Sequence, residues 1–144
     1  MGARALGIDL GERRIGVAVS DAEGRVATPL TVIERSGSRN HDHQRISELA
    51  AEYEAGVVVV GLPLSLDGSA GPAAQAAEHE VGQLAAALAV PVLTHDERFT
   101  TAIAERALAE SGLSGKARRQ RVDMVAASII LQSWLDATER KSPR

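Results

Sequence analysis

The stretch GIDLGERRIGVAVSD, residues 7–21, predicts the first two strands of the fold. Short apolar runs at residues 5–10 and 15–20 are joined by a polar turn that begins with glycine, which is typical of a β-hairpin. Alternation gives each strand a bulky face and a small face. The small faces carry Gly7, Asp9 and Gly11 on the first strand and Gly16, Ala18 and Ser20 on the second. A charge therefore stands on a small-residue face, with room beside it for a metal ion and a phosphate.

Strands and helices alternate downstream of the hairpin. A third strand is predicted at residues 26–33 and is placed at the sheet edge, because Pro29 cannot donate to a strand ladder. Residue spacing predicts strands at 57–60 and 90–95 and helices at 44–54, 72–89, 101–111 and 121–138. Segments 34–42 and 112–120 are interpreted as polar loops, the second mobile and basic, and His41 and His43 are interpreted as solvated loop residues. This order predicts an α/β domain with a mixed sheet and helices on both faces.

The composition bounds the class of protein. The 144 residues suit one domain, expected at residues 1–138 and followed by a frayed tail at 139–144. Aromatic residues make up only 2% of the chain, so the core must be built from aliphatic side chains. The lack of cysteine excludes disulfides, thiolate zinc sites and cysteine nucleophiles. No signal-peptide or membrane-spanning pattern is found, so we expect a cytoplasmic protein without a membrane partner.

Three acidic residues stand where a charge is unexpected. Asp9 interrupts an apolar strand, Glu97 follows another strand, and Asp123 lies on the small-residue side of a helix. A buried carboxylate is costly unless it is paired, hydrogen-bonded or bound to a metal. We therefore predict that the three share Mg²⁺ or Mn²⁺, for which carboxylate oxygens are suitable ligands. A pair of such ions could activate water and stabilise the leaving oxygen in phosphodiester hydrolysis.

Each acid also has a structural alternative. Asp9 could satisfy backbone groups near the turn, Glu97 could complete a capping box with Thr94, and Asp123 could interact with the helix macrodipole. Asp96 competes with Glu97, because alternation does not show which of two neighbouring acids points inward. The metal-site interpretation is favoured for all three positions.

Basic residues lie close to these acids in the sequence, so a formal net charge of -3 does not exclude a nucleic-acid partner. The segment 61–72 is rich in glycine and precedes a helix whose free amides could hold a phosphate. His95 is a candidate for proton transfer, with a structural role as its alternative. The candidate substrate-binding residues are Arg13, Arg14, Ser65, Arg98, Thr100, Lys116, Arg118 and Arg119.

Four segments together resemble the YqgF/RuvX family, relatives of the RuvC Holliday junction resolvase within the ribonuclease H-like superfamily. They are GIDLGERRIGVAVSD, VVGLPLSLDGSAGPAA, DERFTTAIAE and VDMVAASIILQSWLD, at residues 7–21, 59–74, 96–105 and 122–136. The resemblance implies a ribonuclease H-like sheet of five strands, an antiparallel meander of three plus two parallel strands. It also implies catalytic acids in the first strand, the DER segment and the last helix. Asp9, Glu97 and Asp123 occupy those positions.

The same resemblance implies a metal-dependent nuclease that matures the 5′ end of pre-16S rRNA, with pre-rRNA and ribosomal particles as partners. The alternatives are a DNA endonuclease resembling Holliday junction resolvases, acting on branched DNA, and a noncatalytic RNA-binding or transcription-associated module. A monomer or a weak homodimer is expected. The hairpin also resembles the phosphate-binding hairpin of actin-like ATPases and sugar kinases, but those proteins need two such domains. Ser65 stands where the family has Asn, a departure that concerns substrate contacts rather than the acids.

Overall fold

The computed structural model describes residues 4–64, 67–97 and 115–141, with residues 139–141 described through their backbone alone. Its strands are β1 (Arg4–Leu10), β2 (Arg14–Ser20), β3 (Ala27–Glu34), β4 (Ala55–Leu62) and β5 (Val92–Asp96). Its helices are α1 (Arg39–Glu52), α2 (Pro72–Ala87) and α3 (Gly115–Lys141). The helix predicted at 101–111 lies outside the described residues. Of the helices within the described ranges, none is both long enough and apolar enough to cross a membrane.

The five strands form one mixed sheet in the order β3-β2-β1-β4-β5. β1 pairs antiparallel with β2, and β2 with β3, whereas β4 runs parallel to both β1 and β5. Pro29 lies in the edge strand β3, where the register with β2 shifts between Val17 and Ala18. The predicted α/β fold, its antiparallel meander and the edge position of the third strand are confirmed.

Side-chain alternation divides the core between the two faces of the sheet. Helices α1 and α2 cover the face that carries the branched residues, and α3 covers the small-residue face. A Cβ atom added to Gly7 would lie 2.6 Å from Cβ of Leu131, so the helix packs directly on the strand backbone. The small face of the first hairpin therefore positions α3 close to the sheet.

Two helices begin inside segments that were predicted to be loops, so those predictions are wrong for residues 39–42 and 115–120. Ser38 caps α1 by accepting a hydrogen bond from the backbone N–H of His41, so the helix starts at Arg39, inside the predicted loop 34–42. His43 is consequently buried in α1 rather than solvated. Residues 115–120 belong to α3, since alanine, lysine, arginine and glutamine all favour helices. The backbone of α3 also continues past the predicted end at 138, into the segment expected to fray.

Candidate active site

Asp9 lies near the carboxyl end of β1, on the face covered by α3. In the antiparallel pairing with β2 it stands opposite Gly16. In the parallel pairing it comes one residue after the pair formed by Ile8 and Val60, which makes Gly61 its neighbour on β4. Because both cross-strand neighbours are glycines, no side chain from β2 or β4 stands beside the Asp9 carboxylate, and the backbone of Asp123 and the carboxyl group of Glu97 occupy these positions instead.

Glu97 approaches Asp9 from the end of β5. Its backbone N–H donates to the carbonyl oxygen of Leu62 at 3.0 Å, which extends the β4–β5 pairing one residue beyond Asp96. A Cβ atom added to Gly61 would lie 3.0 Å from Cδ of Glu97, so the carboxyl group lies over this glycine. Asp96 has the opposite parity in the strand, and its side chain is exposed. Of the two neighbouring acids, Glu97 is the one directed toward Asp9.

Asp123 reaches the same face through a close contact between α3 and β2. A Cβ atom on Gly16 would overlap the carbonyl oxygen of Asp123, so only glycine allows the helix to lie this near. Arg14, the first residue of β2, donates from Nε to Oδ2 of Asp123 at 2.7 Å, and both side chains are 19% exposed. Asp123 therefore stands near Asp9 while engaged in an ion pair.

Burial and the negative charges of neighbouring acids raise the pKa values of Asp9 and Glu97. The pKa of Asp9 is raised to about 6, first by burial and then by the charge of Asp123. The pKa of Glu97 is raised to about 8, first by burial and then by the charges of Asp9 and Asp96. Within residues 4–64, 67–97 and 115–141, the carboxylates of Asp9 and Glu97 have no hydrogen-bond or ion-pair partner. A cation placed between them would relieve the unfavourable ionisation of both.

The donor chemistry of the site suits a hard divalent cation, because Asp9, Glu97 and Asp123 offer carboxylate oxygens. The pKa values of Asp9 and Glu97 are raised, as expected for two neighbouring buried carboxylates with no cation between them. In the described part of the chain, no three acidic or histidine side chains are yet arranged as a metal-ligand set, and Asp123 is paired with Arg14. Asp9, Glu97 and Asp123 are thus suitable metal ligands by residue type, but their side chains are not arranged around one common point.

The described candidate substrate-binding residues lie near the acids, at the end of the sheet where β1 ends and β2 begins. Gln120 donates to Oε2 of Glu34 at 3.0 Å, which places the start of α3 beside the end of β3 and close to the hairpin turn. The basic residues at this edge are Arg13, Arg14, Lys116, Arg118 and Arg119. The other candidates, Ser65, Arg98 and Thr100, lie outside the described residues.

His95 links β5 to α3. A hydrogen bond of 2.8 Å joins its Nε2 to Oγ of Ser133. Burial lowers the pKa of His95, and the opposing charge of Asp96 does not offset this. A structural role in tying the edge strand to the helix accounts for the contact.

A second polar cluster, which the sequence analysis missed, lies on the opposite face of the same edge. Glu80 of α2 is buried and accepts hydrogen bonds from Nη1 and Nη2 of Arg35 at 2.8 and 2.9 Å, and it lies 2.8 Å from Nε2 of His43. Burial alone would raise the pKa of Glu80, but the hydrogen bonds from Arg35 and His43 outweigh it and lower the pKa. Arg35 also donates from Nε to the carbonyl oxygen of Gly11. The helical spacing of Glu80 from buried Leu84 is the signal that could have revealed it.

A cleft of about 780 Å³ opens beside this cluster, between the hairpin turn and α2. It lies where strand order reverses between β1 and β4, the usual position of ligand crevices in open α/β sheets. Its lining mixes charges of both signs with alanines of α2 and includes Arg13 and Glu80. The three acids are not part of the lining, so the cleft and the carboxylates lie on opposite faces of one edge.

The raised pKa of Glu97 predicts a pH-dependent effect on stability. Its folded-state pKa of about 8 is above the ordinary value of 4.5, so its contribution to stability is fully present below pH 4.5 and is lost as the pH rises through about 8. In Glu97→Gln the amide cannot ionise. We therefore expect the metal-free variant to exceed the wild type in free energy of unfolding by on the order of 2 kcal/mol at pH 9, and by much less at pH 5.

Urea unfolding in EDTA at the two pH values measures this difference. Glu48→Gln is the matched control, because Glu48 is an exposed residue of α1 whose side chain is 59% exposed. The control should show no growth of the difference with pH. If Glu97→Gln differs from the wild type by the same free energy of unfolding at pH 5 and pH 9, the ionised carboxylate of Glu97 is not destabilised by its surroundings.

Comparison with known proteins gives a consistent result. The sequence model of the RuvX family, described as Holliday junction resolvase, matches residues 3–137. A protein of Pelotomaculum thermopropionicum that carries the name pre-16S rRNA nuclease is 48% identical over 137 residues, which cover 95% of this chain and 89% of the relative. A protein of the same name from Thermoanaerobacter pseudethanolicus is 41% identical over 139 residues, covering 96% and 99%.

Among solved structures, RuvC of T. thermophilus in complex with a Holliday junction substrate is similar, with a TM-score of 0.58 at 17% identity. The match covers 96% of this chain and 97% of that chain. At this identity the likeness concerns the fold, and the ribonuclease H-like arrangement of sheet and helices is confirmed. With a family match along nearly its whole length and relatives above 40% identity, the chain belongs to the RuvX family.

Proposed function

We propose that this chain is a divalent-metal-dependent nuclease that hydrolyses phosphodiester bonds during 5′-end maturation of pre-16S rRNA. The observation that carries the proposal is the meeting of Asp9, Glu97 and Asp123 from three distant segments on one face of the sheet. The names of relatives at 41–48% identity support the substrate, and the family match supports nuclease chemistry.

Asp9 and Glu97 are the two carboxylates best suited to hold the ion. Both are largely shielded from water, and the charge of Asp9 raises the pKa of Glu97, so the two act on each other directly. Asp123 completes the ligand set from α3. When bound, Mg²⁺ or Mn²⁺ supplies the Lewis acidity that activates water and stabilises the leaving oxygen, and a pair of ions would do both.

The remaining residues of the edge bind and orient the substrate. The hairpin turn carries Arg13 in an exposed position, and the first two turns of α3 carry Lys116 and Arg119, also exposed. Lys116 and Arg119 lie on the helix that carries Asp123, where they can contact phosphates next to one held over the carboxylates, whereas Arg13 lines the cleft on the opposite face and would contact a more distant part of the substrate. Ser65, Arg98 and Thr100 belong to the proposed substrate-binding set by the family resemblance.

The decisive experiment offers the purified chain several labelled substrates in Mg²⁺, Mn²⁺ and EDTA. These are a pre-16S rRNA fragment with its 5′ leader, a four-way DNA junction and a linear DNA duplex. We expect cleavage of the precursor RNA with either metal and none in EDTA. Cleavage of the junction alone would favour the resolvase-like alternative, which the description of the family model supports. Absence of any cleavage would favour a noncatalytic nucleic-acid-binding module.

The basic start of α3 predicts a salt-dependent effect on binding. Replacing Arg118 and Arg119 with Ala removes two phosphate contacts, so the affinity for RNA should fall and the slope of its logarithm against log salt should flatten by about 1.4 for a single strand. A filter-binding titration in EDTA at several salt concentrations measures both.

A matched control removes two positive charges elsewhere. Arg25 lies in the turn at the far end of the sheet, and Arg45 lies on α1, on the opposite face. Replacing both with Ala changes the net charge equally and should leave the slope unchanged. Identical slopes for the two double variants would show that the start of α3 does not contact phosphate.

A further inference from the structure

The ion pair between Arg14 and Asp123 sets Asp123 apart from the other two acids. The guanidinium Nε donates to Oδ2 at 2.7 Å, and neither side chain is more than 19% exposed. The carboxylates of Asp9 and Glu97 have no such partner within the described ranges. One arginine thus neutralises one of three clustered carboxylates and leaves the other two uncompensated.

A divalent ion and this guanidinium compete for the same carboxylate. Both are cations that bind carboxylate oxygens at short range, and their mutual repulsion disfavours their sharing Asp123 at close distance. The described acids do not form a ready metal-ligand set while the pair with Arg14 is made. A divalent ion that takes Asp123 as a ligand would therefore have to compete with Arg14.

The backbone that carries Arg14 is held in place, so its side chain is the part that can move. Arg35 donates from its backbone N–H to the carbonyl oxygen of Arg13 at 2.9 Å and from Nε to the carbonyl oxygen of Gly11 at 2.8 Å. The guanidinium of Arg35 is in turn fixed by two hydrogen bonds to buried Glu80. These contacts clamp the hairpin turn from the face opposite Asp123.

We propose that Arg14 is the counterion of Asp123 in the metal-free protein and that the divalent ion displaces it, leaving its guanidinium to hold a substrate phosphate beside the ion. The inference rests on the proposed function for the phosphate and on the ion pair for the competition. Arg14 is thus a positioning residue that restrains Asp123 until the ion arrives. The same residue then adds a positive charge where a phosphodiester would lie.

The test measures Mn²⁺ binding to the full chain without nucleic acid, by electron paramagnetic resonance or calorimetry, in the wild type and in Arg14→Gln. Removing the competitor should tighten Mn²⁺ binding by about five- to tenfold. In the same variant, the rate of RNA cleavage at saturating Mn²⁺ should fall by at least about tenfold, since a phosphate contact is lost. A merely structural arginine would not move the two quantities in opposite directions.

Arg13→Gln is the matched control, because it removes the same charge from the neighbouring exposed position, whose side chain has no ion pair within the described ranges. Its Mn²⁺ affinity should rise by less than twofold, as expected for a screened charge. Mn²⁺ affinity of Arg14→Gln that is unchanged, weaker, or raised no more than in Arg13→Gln overturns the inference. Tighter Mn²⁺ binding in a protein whose wild type cuts no nucleic acid would support the competition for Asp123, and it would refute both the proposed function and the phosphate role of Arg14.

Melting in EDTA checks that Arg14→Gln is folded. If it is not, Arg14→Lys provides the second variant, because lysine keeps the charge but pairs less well with a carboxylate than the planar guanidinium does. We expect Arg14→Lys to bind Mn²⁺ more tightly than the wild type and Arg13→Gln do, but less than tenfold more tightly than the wild type. Affinity below that of the wild type would overturn the competition.

Discussion

Asp9→Asn should retain less than about a thousandth of the wild-type rate of metal-dependent cleavage, a loss of at least roughly 4 kcal/mol of transition-state stabilisation. Asp9 stands between the other two acids, since its charge raises the pKa of Glu97 and the charge of Asp123 raises its own. An amide is a neutral and much weaker ligand for a hard cation than a carboxylate. Loss of this one charge therefore weakens every ion that the site can hold.

The same substitution should not harm folding. Because the pKa of Asp9 is raised to about 6, the folded protein already disfavours its ionised form, and asparagine resembles the protonated acid in shape. Thermal melting in EDTA should show the variant at least as stable as the wild type. Addition of Mg²⁺ or Mn²⁺ should raise the melting temperature of the wild type and leave that of the variant nearly unchanged.

Asp136→Asn is the matched control for this experiment. Asp136 is an exposed residue near the end of α3 that accepts a hydrogen bond from Gln132, far along the helix from Asp123. Its cleavage rate should equal that of the wild type. Wild-type cleavage by Asp9→Asn would remove Asp9 from the mechanism and with it the proposed metal site.

The second large effect is expected from adding a single methyl group at Gly16. Its Cβ atom would overlap the backbone carbonyl oxygen of Asp123, and a backbone oxygen cannot rotate away as a side chain can. The helix must therefore move off the sheet. We expect Gly16→Ala to lower the free energy of unfolding by about 3 kcal/mol. The melting temperature should fall by roughly 10 °C, and cleavage should weaken as Asp123 is displaced.

Gly82→Ala is the opposite case and serves as the control. Gly82 lies on the exposed side of α2, and an added Cβ atom would meet nothing within 4 Å. Alanine restricts the unfolded chain and favours the helix, so stability should rise by about 0.5 to 1 kcal/mol. Urea unfolding of the two variants measures both changes. A Gly16→Ala protein as stable as the wild type would mean that α3 does not pack on β2 as described.

Local sequence rules were enough to predict strand pairing between segments that are close in the chain. The face shared by Asp9 and Gly16 could be predicted because a short hairpin sets its own register and alternation does the rest. The edge position of β3 followed from Pro29, which cannot donate to a ladder. In both cases the deciding contacts join residues close in the chain.

Local rules did not decide the outcome where it depends on a contact between distant segments. The choice between Asp96 and Glu97 depends on the register of β5 against β4, where Leu62 pairs with Asp96, and no local pattern encodes it. The ion pair of Arg14 with Asp123 spans the chain, and it too has no local signal. The helical start of α3 was misjudged for a different reason, because glycine and serine upstream suggested a loop although the residues from 115 onward favour a helix.

The order of the three acids along the chain has a consequence for biosynthesis. Asp9 and Glu97 are both translated before Asp123, and the cover for Ala5, Ala18 and Val59 is supplied by residues that follow Asp123. Since domains fold as their segments emerge from the N-terminus onward, a growing polypeptide has two of its acids in place well before the third. The third acid of the proposed site therefore joins the other two only after the segment that carries α3 has been translated.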